Sequence, residues 1–222
     1  MKQYIKEKTK NTTKYFRFGG IEVQEMDPMP NNVNLGAVLK AVENNLPSHY
    51  FTNLEKVVIG DFEEFEDREI NALYRDNSLL ITNQQDNSAD LLDDIVHELS
   101  HHVETLYTDE IYGNGSVANE FLRKRYELKF ELQSEGYWVK EYDFDKIKYD
   151  KDFDMFLYKR VGRNLIRLMT SGMFIRPYAA VSLREYFATG FEAYYLGKQE
   201  LLEKISPMLF DTIDELHNLR IK

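Results

Sequence analysis

Leu92, Ile95, Val96, Leu99, Val103 and Leu106 recur at the three- and four-residue spacing of a single helix face. Any fold this chain adopts has to bury that stripe. The same helix then carries His97-Glu98-Leu99-Ser100-His101-His102, which holds three of the five histidines in 222 residues. Side chains four apart lie on one side of a helix, so His97 and His101 can offer two imidazoles to one metal ion. Glu98 sits about 100° around the helix from His97. From there it can reach a metal-activated water without ligating the metal, take its proton, and later donate it to a leaving amine. Asp86, Asn87 or Ser88 can cap the helix N-terminus.

The chain has no cysteine, which excludes a disulfide scaffold, a cysteine nucleophile and any thiolate metal site. A catalytic zinc site usually has three protein ligands and one open position. The third must come from a carboxylate, His49 or His217. His102 is turned about 100° away from His101 and reads as a support for the ligands or a solvent-facing residue. Asp94, three residues before His97, can hold a histidine N–H or be a plain surface charge.

Two carboxylates compete for the third position. Glu185 opens a helix with an aromatic stripe of Tyr186, Phe187, Phe191, Tyr194 and Tyr195, closed by Gly197. A carboxylate held against such a stripe needs a partner, and a metal would serve. Equally, Ser182-Leu183-Arg184-Glu185 is a capping box in which the glutamate satisfies the helix start. Glu120 follows His101 after eighteen intervening residues. Thr108–Ser116 reads as loop and turn, and the charged helix after it offers Glu120 a solvated face instead.

The remaining pattern is that of an α+β protein. Phe16–Met26 reads as a hairpin around Gly19-Gly20, and residues 34–46 as a helix closed by Pro47. Lys56–Phe62 and Ser78–Asn83 read as strands, and the acidic run 61–69 as a solvated loop. Later helices are expected over 119–136, 159–173 and 208–219, with an aromatic-rich loop or short helix over 137–158. The first seventeen residues sum to +5 and, against a total of −10, leave −15 on the rest. Residues 1–14 therefore read as a flexible basic tail and 15–222 as one domain. The acidic balance argues against nucleic-acid binding, and no apolar run reaches the roughly 20 residues of a membrane span. The start lacks a secretory signal pattern, which leaves a cytoplasmic protein or one exported without a recognisable signal peptide.

Together, His97-Glu98-Leu99-Ser100-His101 and the later Tyr178…Glu185-Tyr-Phe-Ala-Thr-Gly-Phe-Glu192 resemble the catalytic domain of anthrax-toxin lethal-factor-like zinc metallopeptidases. The resemblance covers roughly residues 50–197. It departs from the family in the 83 residues between His101 and Glu185, and in Thr189-Gly190, where members often have an acidic residue and alanine. It implies a zincin-like domain: a small mixed sheet, an active-site helix, a later glutamate helix and a largely helical C-terminal half. One Zn2+ would be held by His97, His101 and Glu185. Glu98 would be the general base, and Tyr178, seven residues before Glu185, would donate its hydroxyl to the tetrahedral intermediate.

On this reading the strand SLLITN would be the sheet edge to which an extended peptide adds. Residues 107–177 would form an insertion walling the cleft. The activity implied is zinc-dependent endopeptidase cleavage of a protein or peptide substrate, with cationic segments favoured by the acidic body. Two other classes remain: a catalytically inactive zincin-fold binding or assembly module with structural zinc, and a helical structural protein with incidental histidines.

Overall fold

A computed structural model describes residues 13–68 and 70–219, except for the side chains of 66–68. The basic tail expected over residues 1–14 lies outside them up to residue 12. The chain forms two compact units divided after Leu106.

In the first unit, β1 (Lys14–Phe18) and β2 (Ile21–Glu25) form the expected hairpin. They are followed by α1 (Leu35–Asn45), a 3-10 turn (Ser48–Phe51) and β3 (Lys56–Gly60). Then come α2 (Glu63–Arg68), β4 (Ala72–Arg75), β5 (Ser78–Thr82) and the long helix α3 (Ser88–Leu106). The mixed sheet has the order β1-β2-β3-β5-β4. β2, β3 and β5 run parallel, and β1 and β4 are antiparallel to their neighbours. β3 and β5 are apolar on both sides because both faces are covered. Val57, Ile59, Leu79 and Ile81 are buried on one face. Val58 and Leu80 meet Met26, Phe62 and Phe65 on the other.

Two sequence expectations are corrected here. SLLIT is not the sheet edge, because β5 lies between β3 and β4. The edge on that side is β4, which is short, half-buried and joined to β5 by a turn without glycine. That turn is formed by Asp76 and Asn77 at φ of 52° and 54°, the left-handed geometry of a two-residue hairpin. The acidic run holds the helix α2 rather than a loop, with Glu64 paired to Arg75 at 2.9 Å.

Helix α3 packs against β4, β5, α1 and the 3-10 turn. Asn87 caps it, its Oδ1 accepting from the main-chain N–H groups of Ala89 and Asp90 at 2.8 and 3.1 Å. The buried stripe is Leu91, Ile95, Val96, Leu99 and Val103, so Leu91 replaces Leu92 and Leu106 as core residues.

The second unit is helical. It comprises α4 (Thr108–Tyr112), α5 (Ser116–Ser134), α6 (Lys151–Met155), a π-helical segment (Phe156–Gly162) and α7 (Arg163–Met169). A 3-10 turn (Pro177–Ala180), α8 (Leu183–Tyr195), α9 (Gln199–Ile205) and α10 (Pro207–His217) complete it. Thr108–Tyr112 is thus helix where loop was expected. Residues 107–177 share this unit with the C-terminal helices, α5 packing on α8 and α10. The loop before α6 is pinned by Arg125, whose guanidinium lies 4.2 Å from the Phe153 ring and donates to the Lys146 carbonyl at 2.6 Å. Gly190 lets α8 approach α10: a Cβ there would lie 2.3 Å from Leu209 Cδ2. Among the described residues, no helix is long and apolar enough to cross a membrane.

The charged helix α5 buries Glu120, Lys124 and Arg125. Lys124 Nζ donates to the Ile205 carbonyl and to Ser206 Oγ, both at 2.6 Å, and burial pulls its pKa from 10.5 to about 8. Below pH 8 both folded and unfolded chains carry the proton, so the burial penalty is fully present. Between about 8 and 10.5 the unfolded chain holds protons that the folded one has released, so stability rises with pH across that window. Urea unfolding followed by circular dichroism is expected to show this rise, and Lys124→Met to flatten it.

Candidate metal centre

His97, Glu98 and His101 each offer a ligand atom, and the three lie within 4.8 Å of one another. Among the described residues they form the one such histidine, cysteine and carboxylate group of three or more. The geometry follows from α3. Once Leu91, Ile95 and Leu99 are turned into the core, the four-residue spacing stacks the two imidazoles beside them. The rings meet edge to face with centroids 4.9 Å apart. Two imidazoles with a carboxylate beside them and no thiolate could hold a metal ion. Glu104 Oε2 lies 3.9 Å from His101 Nδ1, the side on which a carboxylate orients a ligating imidazole.

Glu98 and His102 form a second four-residue pair, and Tyr74 of β4 touches both. The main-chain N–H of Tyr74 donates to Glu98 Oε2 at 2.5 Å. The Tyr74 hydroxyl lies 3.1 Å from His102 Nδ1 and from Asn77 Oδ1. His102 Nε2 lies 2.9 Å from the Thr52 carbonyl. A carbonyl only accepts, so Nε2 carries the proton, and the single Tyr74 O–H faces two acceptors, His102 Nδ1 and Asn77 Oδ1. Burial holds this ring's pKa below the usual histidine value, against the Thr52 bond that raises it. His102 is therefore neither solvent-facing nor available to a metal; it ties α3 to the sheet edge and the 3-10 turn. Asp94 is half-buried and accepts from Gln85 Nε2 at 2.9 Å. Burial lifts its carboxyl to about 6, with the Gln85 bond and the His97 charge opposing and Glu98 adding to the rise.

Both candidate third ligands lie in the second unit. Glu120 is buried with both oxygens engaged. Oε2 accepts from the Tyr186 hydroxyl at 2.8 Å and the Leu209 N–H at 3.2 Å, and Oε1 from the Met208 N–H at 3.2 Å. It caps α10, whose first residue, Pro207, has no N–H to satisfy. The solvated reading of Glu120 is thus corrected: three donors already share its two oxygens.

Glu185 stands in the first turn of α8, where Ser182 Oγ accepts from the Glu185 N–H at 3.2 Å. Its charge acts on Tyr178, Tyr158 and Asp154. Burial first, then Glu185 and Asp154, hold the Tyr178 phenol well above its usual pKa; burial, Asp154 and Glu185 push Tyr158 up to about 12. The Tyr158 and Tyr178 rings lie 6.2 Å apart, and Tyr149 donates to Asp154 Oδ2 at 2.8 Å. Sequence reasoning placed Tyr178 and Glu185 together but missed Asp154, Tyr158 and Tyr149. The signal for these was the 137–158 aromatic stretch, where Asp150, Asp154 and Tyr158 are spaced by four.

Family models, curated proteins and solved structures return no match to this chain.

Glu120→Ala would leave the Tyr186 hydroxyl and two helix N–H groups without their acceptor. It is expected to cost about 2–3 kcal/mol of stability, measured by urea unfolding, and to leave zinc affinity within about twofold of the parent.

Proposed function

We propose that the chain is a zinc-dependent metalloendopeptidase with a zincin-like fold, hydrolysing peptide bonds of a protein substrate. The observation that carries this reading is the His97, Glu98 and His101 group, held within 4.8 Å on one buried helix. His97 and His101 would hold the ion, with His101 Nδ1 turned toward Glu104. Glu185 would be the third ligand, as the resemblance implies; the oxygens of Glu120 accept from Tyr186 and from the first N–H groups of α10. When bound, zinc supplies a Lewis acid that polarises a carbonyl and lets water ionise near neutral pH.

The protein's own groups account for the proton movements. Glu98 accepts the proton from the attacking water and passes it to the departing amine nitrogen. Tyr178, kept protonated by burial and by the charges of Glu185 and Asp154, donates its O–H to the oxygen of the attacked carbonyl. The acidic body favours cationic segments around the cleaved bond.

The protein is expected to bind about one zinc per chain. Glu98→Gln should keep the ion and lower kcat on a peptide library by at least about 100-fold, a general base being worth 10²–10⁴. Glu185→Ala should weaken zinc binding by at least about tenfold, read by competition with a chromogenic chelator. A zinc-loaded wild type that cleaves no peptide in the library would favour the inactive binding or assembly module.

A further inference from the structure

We propose that Tyr74 is a positioning residue for Glu98: its main-chain N–H fixes one carboxylate oxygen, and its hydroxyl braces the same helix one turn on, at His102. The proposal rests on the peptidase reading for what Glu98 does, but not for the contact itself.

Register sets the direction of each main-chain group in β4. β4 and β5 are antiparallel, with Arg75 opposite Ser78 and Tyr74 opposite Leu79. The two-residue turn makes Arg75 and Ser78 the hydrogen-bonded pair beside it. Alternation then points the main-chain groups of Arg75 and Leu73 toward β5, and those of Tyr74 and Ala72 toward the outer edge. The bond from Thr82 N–H to the Asn71 carbonyl at 2.8 Å continues the same alternation. An outward N–H on a terminal strand is a donor that needs water, another strand or a side chain. At Tyr74 a side chain from α3 meets it, the Glu98 carboxylate, at 2.5 Å.

The second grip makes this more than a chance contact. Glu98 and His102 are one turn apart, and Tyr74 reaches Glu98 through its main chain and His102 through its phenol. His102 is in turn tied to the Thr52 carbonyl at 2.9 Å. Two points of attachment fix both the rotation of α3 and its height against β4. A glutamate side chain has three rotatable bonds, and one that must meet an attacking water gains from being held in a single rotamer. The hydrogen bond occupies one oxygen and leaves the other to accept a proton.

The test replaces the Tyr74 amide by an ester, installing the α-hydroxy analogue of tyrosine by nonsense suppression. This removes the N–H and keeps the ring. Zinc affinity is expected to stay within about twofold. Cleavage of fluorescein-labelled casein is expected to lose at least about tenfold in kcat with KM unchanged. Tyr74→Phe keeps the N–H, loses the brace, and is expected to show a smaller loss in kcat alone. Unchanged kcat in both variants, or a loss confined to KM, would overturn the proposal.

A readout independent of activity is the exchange of the Tyr74 amide hydrogen in metal-free protein. Glu98→Ala should speed it at least about tenfold, and Glu98→Gln, whose carbonyl still accepts, should restore protection. Equal exchange in wild type and Glu98→Ala would overturn the positioning role. Intact protection in a zinc-loaded protein that does not cleave casein would instead remove the peptidase reading.

Discussion

Helix α3 has to satisfy two demands at once, and the site follows from how it does so. Its apolar side chains must leave water against the sheet and α1, and its polar side chains must not be buried without partners. Leu91, Ile95, Leu99 and Val103 meet the first demand. The second falls on residues that the burial of those side chains drags inward. Ser100 donates to the His97 carbonyl at 2.5 Å, His102 bridges Tyr74 and Thr52, and Glu98 takes the Tyr74 N–H. The adjoining stripe carries His97 and His101, whose four-residue spacing sets the two imidazoles edge to face with centroids 4.9 Å apart.

The helical unit answers the same constraint differently. α5 carries more charge than an amphipathic surface helix needs, and the structure buries part of it. Glu120 caps α10, Lys124 closes on the α9–α10 junction, and Arg125 fastens the loop before α6. Buried charge is tolerated where each polar atom finds a partner, and its removal on one side alone is costly. That organisation bears directly on the choice between two glutamates. Glu120 is structural by its contacts, whereas the charge of Glu185 acts on Tyr178, Tyr158 and Asp154.

Local periodicity made α3, α1, the first hairpin and the histidine pair legible in the sequence, because all depend on residues no more than four apart or on a Gly-Gly turn. The general α+β class followed from the same signals. Long-range partners were not legible. Glu120 reads as a solvated helix residue until Tyr186, Met208 and Leu209 arrive from far along the chain. β4 has four residues and a turn built on Asp76-Asn77 without glycine, so nothing local separates it from a loop, and SLLIT was misread as the edge in consequence. His102 reads only as a support for the ligands or a solvent-facing residue, because its partners, Thr52 and Tyr74, belong to other elements. Gly190, read as a departure from the resembling family, has a packing reason in Leu209.

On the proposed function, His97 and His101 together bind one zinc ion. X-ray absorption at the zinc edge of the loaded protein tests it most directly. Two imidazoles should appear by their outer-shell scattering, within a nitrogen and oxygen shell at about 2.0–2.1 Å. A shell of about six oxygens without imidazole, or a protein that takes up no zinc, would contradict it.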